Sequence, residues 1–403
     1  MRSIGDYIDI VGAETISKIY KKASRLYGKR VANVNATFLG GGVAEILGRL
    51  VPFMNEVGLD AEWRTIHGSP AFFDVTKSFH NALQSGTLEL DDHKKSLYME
   101  INQEYANFTH LNIYDCLIVH DPQPLPLIKF YRKQQPWIWR CHIDITEPNE
   151  ELWDFLKQFM IRYDIIIVSS EKYKKPDIPV PQRVIAPAID PLSLKNRELS
   201  EQELLNCLNE LNIPRDKPII TQVSRMDPWK DPEGVLEVFS LVKEEVDCRL
   251  LYCYNLATDD PEGIKIYDRV YKKAKKFEKE GDVIFVVGNN ELIVNAIQRF
   301  STVILQKSIR EGFALTVTEA LWKAKPVIAG NVGGIPSQIT DGENGFLVDP
   351  HNYKECAEKV VEVLKNPKLA ENLGKKAKER VRDNFLTTRL VSDYLDLLDE
   401  VLK

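Results

Sequence analysis

Glu311 and Glu319 stand eight positions apart in the run Glu311-Gly312-Phe313-Ala314-Leu315-Thr316-Val317-Thr318-Glu319. An ionised carboxylate accepts several hydrogen bonds at once, which suits a ligand presenting neighbouring hydroxyls. Between the two acids, Gly312 to Leu315 are expected to offer backbone amides where a helix begins, since the first N–H groups of a helix lack partners within it. A second group is Ser224-Arg225-Met226-Asp227-Pro228-Trp229-Lys230. Arg225 brings a fork of donors and Lys230 a point charge, a pair suited to a diphosphate and to the negative charge of a departing one. A third is Gly40-Gly41-Gly42. Glycines there let the backbone approach a ligand, and the helix that follows offers free N–H groups to a phosphate or a sugar oxygen. Neither the Gly-x-Gly-x-x-Gly spacing nor a Gly-Lys-Ser/Thr run is present at that point. The fourth group is Trp137-Ile138-Trp139-Arg140-Cys141-His142-Ile143-Asp144, with His120-Asp121-Pro122-Gln123-Pro124 as a similar candidate. His142, flanked by Arg140 and Asp144, can donate to a hydroxyl or shield developing charge. Trp63 and Trp139 suit either a sugar face or a core. Each group also has a plainer reading: Glu319 on a solvated helix face, Arg225 and Lys230 as surface charges, the glycines as a tight turn, His142 as a structural side chain.

These residues need elements to hold them. Val31 to Phe38 is β-rich and runs into the glycines; then Val43, Ile46, Leu47, Leu50, Val51 and Met54 recur on one helical face. Further strands are predicted at 62–66, 115–120, 137–143 and 165–169, and then at 219–223, 249–254, 283–287, 302–305 and 326–329, with helices between them. Such alternation implies parallel sheets covered by helices on both faces. At 403 residues the chain exceeds what a single core usually serves, so two domains are expected. Pro176, Pro179, Pro181, Pro187 and Pro191 mark the stretch between them as a linker. The expected division is residues 1–185 and residues 192–385. The helical tail 386–403 carries Leu390, Tyr394, Leu397, Leu398 and Val401 on one face and is expected to pack back on the first domain. Two doubly wound domains facing across a cleft would bring the polar residues that follow their strands to one ligand.

Composition narrows the function. The net charge of -6 argues against a nucleic-acid binder, and Lys272-Lys273-Ala274-Lys275-Lys276 reads as a solvated helix face. No apolar run approaches the ~20 residues of a membrane helix, and the segment from Met1 to Arg30 is charged throughout rather than signal-like, so no membrane partner and a cytoplasmic location are expected. The six cysteines show no close pair or metal-ligand spacing and read as free thiols.

Taken together, the paired glutamates, the glycine loop after the first strand and the Arg–Lys pair resemble the retaining glycosyltransferases of family four, which have the GT-B fold. Gly333-Gly334-Ile335-Pro336 and Asp341-Gly342-Glu343-Asn344-Gly345-Phe346-Leu347-Val348 resemble that family's later loops. Leu39 to Leu47, His120 to Pro124 and Trp139 to Asp144 look like the trehalose-forming members, both the nucleotide-sugar-dependent branch and the phosphorylases. The resemblance implies an α/β GT-B fold of two Rossmann-like domains. It implies a hexosyltransferase that moves glucose from UDP- or ADP-glucose to free glucose, reversibly, to give α,α-trehalose. By the same resemblance, donor contacts fall to Gly41, Gly42, Arg225, Lys230, Glu311, Gly312, Phe313, Ala314, Leu315, Thr316 and Glu319. Lys230 and Arg225 hold the diphosphate, Glu311 the sugar hydroxyls and Glu319 the ribose. His142, Arg225, Lys230 and Glu311 form the catalytic set. Asp121, Gln123, Arg140, His142 and Asp144 are the acceptor-side candidates. No tightly bound cofactor and no metal are expected, because the two cations stand where a divalent ion would. The partners are sugars and nucleotide sugars, and a homodimer is left open. Rival readings are a phosphorylase using free phosphate, a nucleotide-sugar epimerase of similar build, and a non-catalytic sugar binder. Two departures from the family pattern are Ala314, where Gly is usual, and Ser337, where Glu is common.

Overall fold

The computed structural model describes residues 3–38, 41–255 and 261–403, and side chains at all of these but 261 and 262. Leu39 and Gly40 of the glycine loop lie outside the described residues. The chain divides into two compact units, Met1–Ala188 with Leu386–Lys403, and Ile189–Phe385.

The first unit holds a six-stranded sheet: β1 (Arg30–Asn35), β2 (Asp60–Thr65), β3 (Cys116–His120), β4 (Trp137–Arg140), β5 (Ile165–Val168) and β6 (Gln182–Val184). All pairings are parallel, in the order β2-β1-β3-β4-β5-β6. Their near-continuous runs of Val, Ile and Trp are what a sheet buried on both faces requires. Trp137, Trp139, Phe72, Phe79 and Tyr98 fill one side. The helix Gly41–Glu56 follows β1 and buries Ile46, Leu47, Leu50, Val51 and Met54, with Val43 half-buried.

Strand β6 corrects the linker expectation. The proline-rich stretch is not all connection: Ile178 and Val180 are buried, and 182–184 pair with β5. An edge strand needs a ladder on one side only, and the Pro181 carbonyl accepts the Ile166 N–H at 2.9 Å although Pro181 has no N–H of its own. The helix Thr387–Val401 completes this unit. It buries Leu390, Tyr394, Leu397 and Leu398, and Lys22 donates to Ser392 (2.8 Å) and Asp396 (2.6 Å) on it.

The second unit repeats the plan with β7 (Ile219–Arg225), β8 (Arg249–Asn255), β9 (Val283–Val287), β10 (Val303–Gln306), β11 (Val327–Gly330) and β12 (Phe346–Val348). The order β12-β11-β10-β7-β8-β9, again all parallel, is the 3-2-1-4-5-6 order of dinucleotide-binding sheets read within the unit. Chain direction across such a sheet reverses between its first and fourth strands, here β7 and β10. In the first unit the reversal falls between β1 and β3. Loops leaving these strands diverge to opposite faces and open a crevice at their carboxyl ends. Both groups of candidate residues follow these strands. The short strands β6 and β12 have no counterpart among the sequence-predicted ones. Three residues give too brief a period to read.

Candidate active site

In the second unit, β7 ends at Arg225 and the chain turns through Asp227, whose carboxylate accepts the Trp229 N–H at 2.8 Å. The other Asp227 oxygen pairs with Arg225 at 3.0 Å, and more than half of the Arg225 side chain stays open to solvent. Gln222, buried in β7, donates to the Lys230 carbonyl at 2.8 Å and fixes the far end of this loop. Lys230 then pairs directly with Glu311 Oε2, with both side chains largely buried. The loop after β10 is tied to the same turn, since the Ile309 N–H reaches the Trp229 carbonyl at 2.8 Å. Ser308 Oγ donates to Glu311 Oε2 at 3.3 Å and accepts from Gln306 Nε2 at 3.2 Å. The structure therefore brings Lys230 and Glu311 together across the switch point, with Arg225 at the entrance of the same turn.

Beyond Glu311 the helix Leu315–Trp322 begins. Its N-cap is Ala314, at φ 70° and ψ 73°. That left-handed conformation is natural to glycine and strained for a residue with a Cβ. Gly334 packs against the turn so closely that a Cβ there would lie 2.6 Å from the Gly312 carbonyl oxygen. Thr316 continues the first helical turn, and its carbonyl accepts from Gln298 at 3.3 Å. Glu319 sits one turn further in. It is 1 % exposed and pairs with Lys195 at 3.3 Å, so the solvated-face reading of this residue fails.

In the first unit, Gly41 opens its helix at φ 77°, with nothing within 4 Å of where a Cβ would stand, and Gly42 is exposed beside it. Trp63 is half-buried, donates to Asn35 Oδ1 at 2.6 Å and meets Phe38 edge-on at 4.8 Å. At the ends of β3 and β4 a row of polar groups is closed in. Asn33 and His120 Nε2 lie 3.1 Å apart, and His120 Nδ1 and His142 Nε2 3.0 Å apart. Burial holds both imidazoles neutral: it drives His120 down to about 3 and His142 well below the usual histidine range, with the Arg140 charge adding to both. Asp121 takes a left-handed φ of 63° and accepts the His142 N–H at 2.8 Å. Burial raises its carboxyl to about 7, against the lowering effect of that hydrogen bond and of Arg140. Tyr98 donates to the Pro122 carbonyl and Asn102 to that of Gln123, at 3.1 Å for the latter, which anchors the loop. Gln123 Oε1 is buried and has no hydrogen-bond partner among the described residues.

Three expectations change here. Arg140 is 1 % exposed, and its guanidinium donates to the Val168 carbonyl (3.1 Å) and Ser169 Oγ (3.2 Å). It braces β4 against β5 and is withdrawn from the acceptor set. Asp144 is also buried and uses Oδ1 to close the turn at Thr146, through the backbone N–H (2.9 Å) and the hydroxyl (2.6 Å). Trp139 is wholly buried and donates to the Asp121 carbonyl at 3.0 Å, so it stacks on no sugar. Trp139 and Arg140 lie within β4, whose sheet is buried on both faces, and Asp144 lies in the turn beyond it, so alternation along the strand carries no sign of which side chains meet a ligand. Sequence reasoning missed Gln222, Ser308, Asn33 and Gln338. A lone polar residue in an apolar run carries no signal beyond its unexpected burial. Among the described residues, no group of three or more His, Cys, Asp or Glu is placed to hold a metal ion, and all six cysteines are free and buried.

Two parallel sheets of these orders, with a cation–carboxylate pair at the switch point of the second, fit the GT-B class of glycosyltransferases. The comparisons agree and go further. Residues 33–175 match the family model described as trehalose synthase, N-terminal domain, and residues 207–380 match glycosyl transferases group 1. Trehalose synthase from Pyrococcus horikoshii is 47 % identical over 403 residues, covering 99 % of this chain and 97 % of the relative. Trehalose synthase from Rubrobacter xylanophilus is 42 % identical over 412 residues, covering 100 % and 97 %. The solved α,α-trehalose-phosphate synthase (UDP-forming) from Burkholderia xenovorans, in complex with glucose-6-phosphate, superposes with a TM-score of 0.75 at 13 % identity, over 93 % of this chain and all of that one, a likeness of fold. The chain belongs to the trehalose synthase family and is a glycosyltransferase enzyme.

Proposed function

We propose that this enzyme transfers a glucosyl unit from a nucleoside-diphosphate glucose to free glucose, giving α,α-trehalose with retention at the transferred carbon. The pairing of Lys230 with Glu311 carries this reading. A cation and a carboxylate held together at the switch point support a reading in which a diphosphate and its sugar lie side by side. In this scheme Lys230 turns from Glu311 to the diphosphate when the donor arrives, and Arg225 joins it from the open end of the loop. The amides around Phe313, Ala314 and Leu315 lie beside the sugar, and Glu319 exchanges its contact with Lys195 for the ribose hydroxyls.

As the glycosidic bond breaks, negative charge grows on the departing diphosphate, and the two cations stabilise it. The acceptor hydroxyl attacks from the leaving-group face and passes its proton to a diphosphate oxygen. No covalent sugar–enzyme bond forms. A double displacement needs two carboxylates flanking the bond, and in this scheme Glu311 is taken up by the sugar hydroxyls and Glu319 by the ribose. The neutral His142 and the unpartnered Gln123 Oε1 suit a neutral, hydroxyl-bearing acceptor. Because the reaction exchanges one glycosidic bond for another, it runs in both directions.

The test is to incubate the enzyme with trehalose and either UDP, ADP or inorganic phosphate, then analyse products by NMR. The expected outcome is nucleoside-diphosphate glucose and glucose with one of the nucleotides. Glucose 1-phosphate formed from phosphate alone would replace this reading with that of a phosphorylase. The enzyme should also turn over in the presence of EDTA.

A further inference from the structure

Gln338 lies 24 residues beyond Ala314, in the short helix Ile335–Gln338, and is completely buried. Its side chain touches the donor loop at three points. Nε2 donates to the Phe313 carbonyl and, at 3.4 Å, to the Ala314 carbonyl. Oε1 accepts from Thr318 Oγ1 at 2.7 Å. This network permits one arrangement only. A backbone carbonyl can only accept, so the amide nitrogen must face Phe313 and Ala314. The oxygen then faces Thr318, whose hydroxyl must be the donor.

The backbone of Gln338 is fixed in turn from the other side. Its carbonyl accepts from Asn344 Nδ2 at 2.9 Å and from Arg380 Nε at 2.8 Å, and Arg380 also donates to the Ser337 carbonyl at 2.7 Å. One amide thus ties two parts of the Glu311–Glu319 segment together. One part is the peptides flanking the strained Ala314; the other is the residue next to Glu319. Phe313 is buried, so without Gln338 its carbonyl would lose the amide that faces it, while the Ala314 carbonyl would keep only the Val317 N–H at 3.0 Å and the Thr318 N–H at 3.4 Å.

We infer that Gln338 is a positioning residue for donor binding: it holds Ala314 in its left-handed turn and so aims the loop amides and the Glu319 helix at the nucleotide sugar. The left-handed conformation is unfavourable for alanine by itself and persists because its surroundings impose it. Glycine would adopt the same turn with no Cβ clash. Gln338 and Ala314 are therefore coupled, and the need for the amide shrinks when residue 314 is glycine. The inference rests on the proposed donor reading of this segment.

The experiment is a kinetic cycle on purified full-length enzyme. The variants are Gln338→Leu, Ala314→Gly and the double variant, with Thr318→Val as a milder second probe that removes only the hydroxyl. Donor and acceptor KM are measured separately, with nucleoside-diphosphate binding by calorimetry. Gln338→Leu is expected to lower kcat/KM for the donor about tenfold or more, with acceptor KM unchanged. Thr318→Val should give a smaller effect of the same kind, and Ala314→Gly should restore most of the loss in the double variant. Folded Gln338→Leu enzyme with unaltered donor kinetics overturns the inference. Should that variant not fold, unaltered donor kinetics in Thr318→Val overturns it instead. Equal losses from Gln338→Leu with and without the Ala314→Gly substitution remove the coupling. If the unmodified enzyme binds no nucleoside diphosphate, it is the donor reading that fails.

Discussion

The two switch points of this molecule are built from opposite materials. Between β7 and β10 stand formal charges: Lys230 paired with Glu311, and Arg225 open to solvent beside Asp227. Between β1 and β3, and on to the end of β4, the polar groups are neutral or nearly so, the buried Asn33 and His120 with the half-buried His142 and an Asp121 whose carboxyl is raised to about 7, while the Arg140 charge is turned away to brace β5. The difference follows the work proposed for each. Charge develops on a leaving diphosphate, and fixed cations stabilise it. A neutral sugar offers hydroxyls, which neutral donors and acceptors orient without the desolvation cost of buried ions. On this proposal, similar sheets carry two kinds of recognition, chosen by the few residues after their strands.

The sharpest way to break this contrast is to remove the charges. Lys230→Ala and Arg225→Ala should each lower transfer by about a hundredfold or more, the scale seen when a transition-state charge loses one partner. Initial rates with saturating donor and acceptor decide it, and near-normal turnover in either variant would refute the assignment. On the neutral side the expected loss is smaller. His142→Ala should reduce kcat/KM for the acceptor by about tenfold, as loss of a hydrogen bond to a hydroxyl does. A larger loss with donor than with acceptor would move His142 out of the acceptor set.

Acid and base sharpen the comparison further. His120 and His142 are harder to protonate folded than unfolded, so their contribution to stability is present above about pH 6.5 and is lost as pH falls below it, for His120 towards about 3. Asp121 works the other way. It holds its proton more tightly when folded, so its contribution is present below about pH 4 and is lost as pH rises through 7. Melting temperature should therefore gain more between pH 4 and 7 in Asp121→Asn than in the unmodified enzyme, because the variant keeps the histidine gain without the Asp121 loss. In the same range, the acid-side loss should be reduced in His120→Gln. Parallel curves for variant and parent would show that these groups titrate normally. The smallest expected effect is at Ala314. Relief of a left-handed alanine, less the extra freedom glycine gives the unfolded chain, should raise stability by about 0.5–1 kcal/mol in Ala314→Gly, measured by denaturant midpoint.

Much of this was readable in the chain before any coordinates. Alternating apolar runs gave the class of fold and ten of the strands to within a few residues, because a strand buried on both faces leaves a continuous Val-Ile-Leu signature. The Lys230–Glu311 contact was half legible: both residues were singled out, and their direct pairing was not, since 81 positions separate them. Strand-end polar residues were found as a group, but not which of them face inward; Arg140 and His142 differ by two positions and in burial. Gln338 was invisible, because its meaning lies in two carbonyls and a hydroxyl 20 or more positions upstream. Ala314 was noticed as a departure from pattern, while its φ of 70° supplies the physical reason for attention to it.

The helix Thr387–Val401 has a consequence in time. During synthesis Met1–Ala188 leaves the ribosome first, yet Leu390, Tyr394 and Leu398, which help bury that unit, are made only after the whole of Ile189–Phe385. The second unit can close on itself while the first still waits for its last helix. The unit that starts first finishes last, and a nascent chain halted at Phe385 would carry one completed half and one with an open apolar face.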